Sequence, residues 1–204
     1  MKTTRNTLLL CLLAATSVQG QVDKFVRLAD LDTTFRYDMK YATRDNFLRR
    51  EVYPCAECLV RKKVAKALIK ANKYFKDKGL RIVFFDCYRP MSVQEKMWAI
   101  YADPKYVADP QKGSVHNRGA AVDITLVREN GDLLDMGTDF DHFDIEAHHG
   151  YQNLPADVLA NRLVLKLGME QFGFEALATE WWHYKFKRSR NYPLSDFPLP
   201  CSED

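Results

Sequence analysis

The chain has no apolar run long enough to cross a bilayer: the one near its N-terminus, Leu8 to Ala15, falls well short of the ~20 residues that a spanning helix needs. It has no surplus of either charge. Thirty Lys and Arg stand against 27 Asp and Glu, so the balance gives no reason to expect nucleic acid or an anionic membrane as partner. It has no internal repeat, which excludes solenoids and propellers, and no interior linker to divide it. It has one C-x-x-C, Cys55-Ala56-Glu57-Cys58, and no second, which leaves a zinc knuckle incomplete. A redox pair is disfavoured as well, because no thioredoxin-like pattern surrounds it.

What is present suits one compact enzyme-sized unit. With 47% apolar and 12% aromatic residues in 204, the chain can bury a full core in a single domain. Lys2 and Arg5, the run Leu8–Ala15 and small or polar residues ending at Gly20 read as a secretory signal. The expected organisation is a signal peptide over 1–20 and one domain over 21–204, exported to the periplasm or beyond, with no transmembrane segment in the mature chain. Losing Lys2 and Arg5, and no acid, lowers the net charge from +3 to +1. Export leaves Cys55, Cys58, Cys87 and Cys201, an even number in an oxidising compartment, so structural disulfides are expected with their pairing open.

Periodicity places the elements. Val60, Val64, Ala67, Leu68, Ala71 and Phe75 recur at helical spacing, which predicts an amphipathic helix over 59–78 stopped by Gly79. Leu80 to Phe85 reads as a buried strand. Ser92-Val93-Gln94-Glu95 reads as a capping box that opens a helix to about Tyr101. Residues 103–113 read as a loop. Ala120 to Val127 reads as a strand turned back by Asn130-Gly131, a helix is predicted over 154–171, and Trp181 to Phe186 alternates like a last strand. Without βαβ repetition, this mixture predicts an α+β domain with a central, mostly antiparallel sheet flanked by helices.

The chemistry gathers in two segments, Ser114-Val115-His116-Asn117-Arg118-Gly119-Ala120-Ala121-Val122-Asp123 and Glu180-Trp181-Trp182-His183. Together they offer two imidazoles, a carboxylate and a spare glutamate. Those are the parts of a catalytic zinc site, with three protein ligands, an open position for water and a general base. His116, Asp123 and His183 are the candidate ligands, and Gly119 allows a tight turn between the first two. Glu180 is the candidate base, but in a regular strand Glu180 and His183 would face opposite ways. An irregular backbone is therefore expected there. Arg89, at the end of the strand from Leu80, is the candidate oxyanion donor. Each residue alone has a blander reading: a core histidine, a capping Asp123, or an Arg89 paired structurally with Asp86.

The joint pattern Ser114-x-His116-x-x-Gly119-x-Ala121-x-Asp123 with Glu180-x-x-His183 resembles the zinc D-alanyl-D-alanine dipeptidases, relatives of D,D-carboxypeptidases, cell-wall endopeptidases and hedgehog signalling domains. Tyr41-Ala42-Thr43-x-Asp45-Asn46-Phe47, Asp86-x-Tyr88-Arg89-Pro90, Met136-Gly137-Thr138-x-Phe140-Asp141 and Glu180-Trp181-Trp182-His183-Tyr184 extend the likeness from Tyr41 to Tyr184. The resemblance implies a hedgehog-like peptidase fold and one zinc ion on His116, Asp123 and His183. It implies Glu180 as base and Arg89 as the carbonyl-polarising arginine. It places Ser114 near the substrate carboxylate, and Asp141 and Tyr41 near the substrate's amino end. The implied substrate is a small D-amino-acid dipeptide, D-Ala-D-Ala above all, and the export signal sets the expected source as dipeptide released from cell wall outside the inner membrane. The alternatives are a D,D-carboxypeptidase or peptidoglycan endopeptidase on the same fold, or a non-catalytic zinc-stabilised cell-wall-binding module. The last would be expected to lack the base or the arginine, and both are present. His142, His148 and His149 are expected at the substrate rim, with a second metal as the other reading. Cys55, Cys58 and the tail Cys201 are not part of the pattern of the resemblance.

Overall fold

The structure, a computed structural model, describes residues 25–201; the expected signal over 1–20 lies outside the described residues. The strands are β1 (Phe25–Arg27), β2 (Arg36–Tyr37), β3 (Leu59–Arg61), β4 (Leu80–Asp86), β5 (Ala121–Arg128), β6 (Phe174–Leu177) and β7 (Glu180–Phe186). The α-helices are α1 (Lys62–Lys76), α2 (Met91–Ile100) and α3 (Ala156–Gln171). Five strands form one sheet in the order β2-β4-β5-β7-β6. Only β2 runs parallel to its neighbour. The fold is thus the α+β sheet with flanking helices that the sequence pattern predicts.

The core follows from the apolar faces. Val64, Leu68, Ala71 and Phe75 of α1 are fully buried against β4 and α3, and each such large side chain removed from water contributes about 1.5–3 kcal/mol. Gly168 lets the two helices meet: a Cβ there would sit 2.4 Å from the Phe75 ring. Sheet residues that close the core include Ile82, Phe84, Ile124 and Leu126, all at 0% exposure.

Two predicted boundaries differ. The helix predicted over 59–78 begins only at Lys62, because Leu59–Arg61 pairs antiparallel with Phe25–Arg27 in a second, two-stranded sheet. Long-range pairing overrides helical periodicity there. The capping box does not form: α2 starts at Met91 after Pro90, with no side-chain cap. The Ser92 N–H is satisfied instead by Asp196 Oδ1 at 2.7 Å. The turn at Asn130-Gly131 does reverse the chain, but the return makes a single bridge, Val127 to Leu133, rather than a strand.

Candidate active site

Strand register brings the site together. Asp86 on β4 stands opposite Asp123 on β5, and Asp123 stands opposite His183 on β7. One extra residue on β4, Phe85, shifts the pairing just before this row, since Phe84 faces Ile124 and Asp86 faces Asp123. Along β6 and β7 the register breaks as expected: Ala176 pairs with Tyr184, and the next residue, Leu177, pairs with Glu180. One step on β6 therefore spans four on β7. The irregularity allows Glu180 and His183 to line the same cavity.

His116 reaches the row from a single turn of 3-10 helix, 116–118, ended by Gly119 at φ 63°. A side chain at Gly119 would be strained by that angle, and its Cβ would lie 2.0 Å from the Phe25 ring. The Ser114 hydroxyl accepts the His116 N–H at 3.1 Å, and Asn117 Oδ1 accepts the Ser114 N–H at 2.6 Å. Asn117 also donates to the Arg89 carbonyl at 2.8 Å. The His116 turn and the Arg89 segment are therefore one hydrogen-bonded unit.

Three acceptor atoms converge. His183 Nδ1 lies 2.9 Å from Asp123 Oδ1, and His116 Nε2 lies 3.2 Å from His183 Nδ1 and 3.4 Å from Asp123 Oδ1. His116 Nδ1 is committed to the Cys87 carbonyl at 2.8 Å, which leaves Nε2 as the free nitrogen lone pair. All three residues are buried. Two imidazole nitrogens and a carboxylate oxygen, with one ring already oriented by its other nitrogen, fit a zinc ion's preferences. Burial disfavours the Asp123 carboxylate, yet the adjoining His116 and His183 hold its pKa below the usual range. Burial likewise opposes protonation of His116, and the charges of Asp123 and Asp86 outweigh it and raise its pKa.

These residues line a cavity of about 280 Å³. All eight sequence-predicted site residues meet on its wall: Tyr41, Arg89, Ser114, His116, Asp123, Asp141, Glu180 and His183. Burial, aided by Asp123, raises the Glu180 pKa above that of an ordinary glutamate. Asp141 is pushed well up, first by burial and then by Asp123. It is held at φ 63°, and the Tyr41 hydroxyl sits 3.1 Å from both its oxygens. Arg89 Nη2 pairs with Asp86 at 2.6 Å and Nη1 donates to Gln94 Oε1 at 2.9 Å. The structural ion pair and a place on the cavity wall therefore coexist.

Two supporting residues, Gln94 and Asn117, escape the sequence reading, and a third, Asp86, enters it only as a partner of Arg89. Asp86, fully buried, accepts from Tyr53 and Arg89 and lies 3.4 Å from His116 Nδ1. Gln94 braces Arg89 while donating to the Ala108 carbonyl at 2.7 Å, and Asn117 ties the two motifs. Asp86, a carboxylate closing the apolar run Leu80–Phe85, is the one of the three that the sequence signals, whereas Gln94 stands among polar neighbours. The histidines at 142, 148 and 149 do not line the cavity. His142 sits with Asp144 and Glu146, ligand-type atoms within 4.8 Å, in a loop that faces solvent; His148 and His149 do not join them.

The cysteines pair as Cys55–Cys201 and Cys58–Cys87. The first ties the C-terminal tail to the segment before β3, and the second joins that segment to the end of β4.

A family model described as D-ala-D-ala dipeptidase matches residues 21–198. The chain belongs to the D-Ala-D-Ala dipeptidase family. It is 37% identical over 178 residues to the D-alanyl-D-alanine dipeptidase of Escherichia coli (strain K12), covering 87% of this chain and 92% of that one. The D-alanyl-D-alanine dipeptidase of Enterococcus faecium is 32% identical over 197 residues, covering 86% and 97%. Among solved structures, VanYB in complex with D-Alanine-D-Alanine aligns with a TM-score of 0.42 and 14% identity over 68% of this chain and 77% of that one. As a member of the D-Ala-D-Ala dipeptidase family, the chain is a metallopeptidase, and among the described residues no helix is long and apolar enough to cross a membrane.

Proposed function

We propose that the cavity hydrolyses D-alanyl-D-alanine and similar dipeptides to free amino acids, with one zinc ion held by His116, Asp123 and His183. The observation that carries this reading is the meeting of those three ligand atoms with Glu180 in one cavity of about 280 Å³, near the lower limit of ~300 Å³ for small-molecule pockets. Zinc bound there would supply Lewis-acid chemistry and lower the pKa of a water to about 7.

The chain's own residues do the rest. Glu180, its pKa raised by burial, takes a proton from the attacking water and delivers it to the leaving amine nitrogen as the C–N bond breaks. Arg89, fixed by Asp86 and Gln94, stabilises the charge that grows on the scissile carbonyl oxygen. Its Nε has no hydrogen-bond partner among the described residues. Asp141, anchored by Tyr41, pairs with the substrate's free α-amino group, and the Ser114 hydroxyl lies toward the substrate carboxylate. A buried carboxylate such as Asp141 selects against an N-blocked substrate, which would leave it without its cationic partner.

The protein belongs, on this reading, outside the cytoplasm, where two disulfides are stable and where cell-wall dipeptides are released. Comparing D-Ala-D-Ala with N-acetyl-D-Ala-D-Ala and with D-Ala-extended tri- and pentapeptides tests it. Cleavage of the free dipeptide alone is expected. Equal turnover of the blocked or longer peptides would replace the dipeptidase reading with a D,D-carboxypeptidase or endopeptidase.

A further inference from the structure

At the far end of β7 from Glu180 lies a second concavity, of about 750 Å³, between α1, the α3–β6 turn and the residues that follow β7. Lys63, Lys66 and Lys70 form one wall, and Lys187 and Arg188 the other. All five are exposed, and none of the lining residues is acidic. None of the five cations makes an ion pair among the described residues. A chain of net charge +3 thus concentrates five uncompensated positive charges around one groove. Such clustering focuses the field on an anion rather than on the surface at large.

The geometry suggests the shape of the ligand. Lys63, Lys66 and Lys70 follow one another along α1 with axial spacings of about 4.5 and 6 Å. That is a line of point charges that an extended polymer with repeated anions can follow. Half-buried Phe172 and Tyr192 flank the line and offer ring surface to sugars. The exposed large apolar residues, among them Leu133, Ile145, Leu163 and Leu167, are not in the groove, so it has no wedge for a bilayer. Two disulfides place the protein in an oxidising compartment, where anionic glycans are the abundant polyanions and nucleic acid is not.

We infer that this groove binds a linear polyanionic glycan, tethering the protein to a polymer matrix while the catalytic cavity stays open. The inference does not depend on the reading of that cavity, since binding and hydrolysis are measured separately.

The test is fluorescence anisotropy of the disulfide-bonded mature protein with a labelled octamer of galacturonate. The expected result is binding that weakens at least tenfold in Lys63→Glu/Lys66→Glu/Lys70→Glu, with hydrolysis of D-Ala-D-Ala unchanged. A second variant, Lys187→Ser/Arg188→Gly, is expected to weaken binding several-fold; Arg188 sits at φ 62°, so glycine there is unstrained. A charge-matched control away from the groove, Lys78→Glu/Lys96→Glu/Arg128→Glu, is expected to bind like the native protein. An equal loss in the control, or no octamer binding by the native protein, overturns the inference. So does tighter binding to a single-stranded oligonucleotide or to phosphatidylglycerol vesicles, which would assign the groove to nucleic acid or to a membrane.

Discussion

His116 donates its Nδ1 proton to the main-chain carbonyl of Cys87 at 2.8 Å, and Cys87 is bonded to Cys58 at the edge of β3. The orientation of one candidate ligand is therefore set by a carbonyl that a disulfide helps to anchor. The Tyr88 N–H, next in the chain, donates to the Leu59 carbonyl at 2.9 Å and fixes the same junction again.

Removing that disulfide should act on metal affinity as well as on stability. Cys58→Ser/Cys87→Ser is expected to cost about 2–4 kcal/mol of stability and to weaken zinc binding by about 10-fold or more, the usual effect of disturbing a partner behind a ligand. Cys55→Ser/Cys201→Ser is expected to lose comparable stability and to keep its zinc affinity. Chelator competition alongside chemical denaturation separates the two. Equal zinc affinities in both variants would show that the bond only staples the chain.

The pairing of Arg89 with Asp86 predicts a split between chemistry and folding. Arg89→Lys keeps the charge but cannot bridge Asp86 and Gln94 together, because an ammonium lacks the planar fork. Its kcat is expected to fall by about 10²–10³. Asp86→Ala leaves Arg89 buried without its counter-charge and is expected to destabilise the fold by about 3–5 kcal/mol. Denaturation midpoints and steady-state kinetics check both; an Arg89→Lys enzyme of native kcat would remove Arg89 from the mechanism.

These two relationships mark where the sequence stops being legible. The spacing of His116, Gly119 and Asp123, and of Glu180 and His183, marks the candidate metal site and even the need for a break in β7, because side chains alternate along any strand. The buried strand Leu80–Asp86 and the first helix are legible from their apolar patterns. The bracing of Arg89 by Gln94 and of the His116 turn by Asn117 is not, since it depends on how the helix and the turn dock, and Asp86 is legible only as a partner of Arg89. Cysteine pairing is illegible for the same reason: it requires Cα atoms within about 6 Å, a condition met here at 5.7 and 5.2 Å. The strand β3 is hidden because Leu59-Val60-Arg61 continues the apolar rhythm of the helix that follows it.

His149 carries a pH dependence of its own. Burial, then Lys166 and Arg162, lowers its pKa from 6.5 to about 4, and its Nε2 has no hydrogen-bond partner among the described residues. Between those values the unfolded chain binds a proton that the folded protein refuses, so stability rises with pH across that window. The contribution is complete above about pH 6.5 and is lost as pH falls toward 4. Denaturant midpoints from pH 7 to pH 4.5 are expected to fall more steeply in the native protein than in His149→Gln. Parallel slopes would contradict the assignment.

The most direct measurement is release of D-alanine from D-Ala-D-Ala by the mature protein, residues 21–204, with and without a chelator and in Glu180→Ala. The expected result is zinc-restorable hydrolysis that the chelator abolishes and that falls by several orders of magnitude in the variant. Hydrolysis untouched by chelation, or a Glu180→Ala enzyme of native rate, would contradict it.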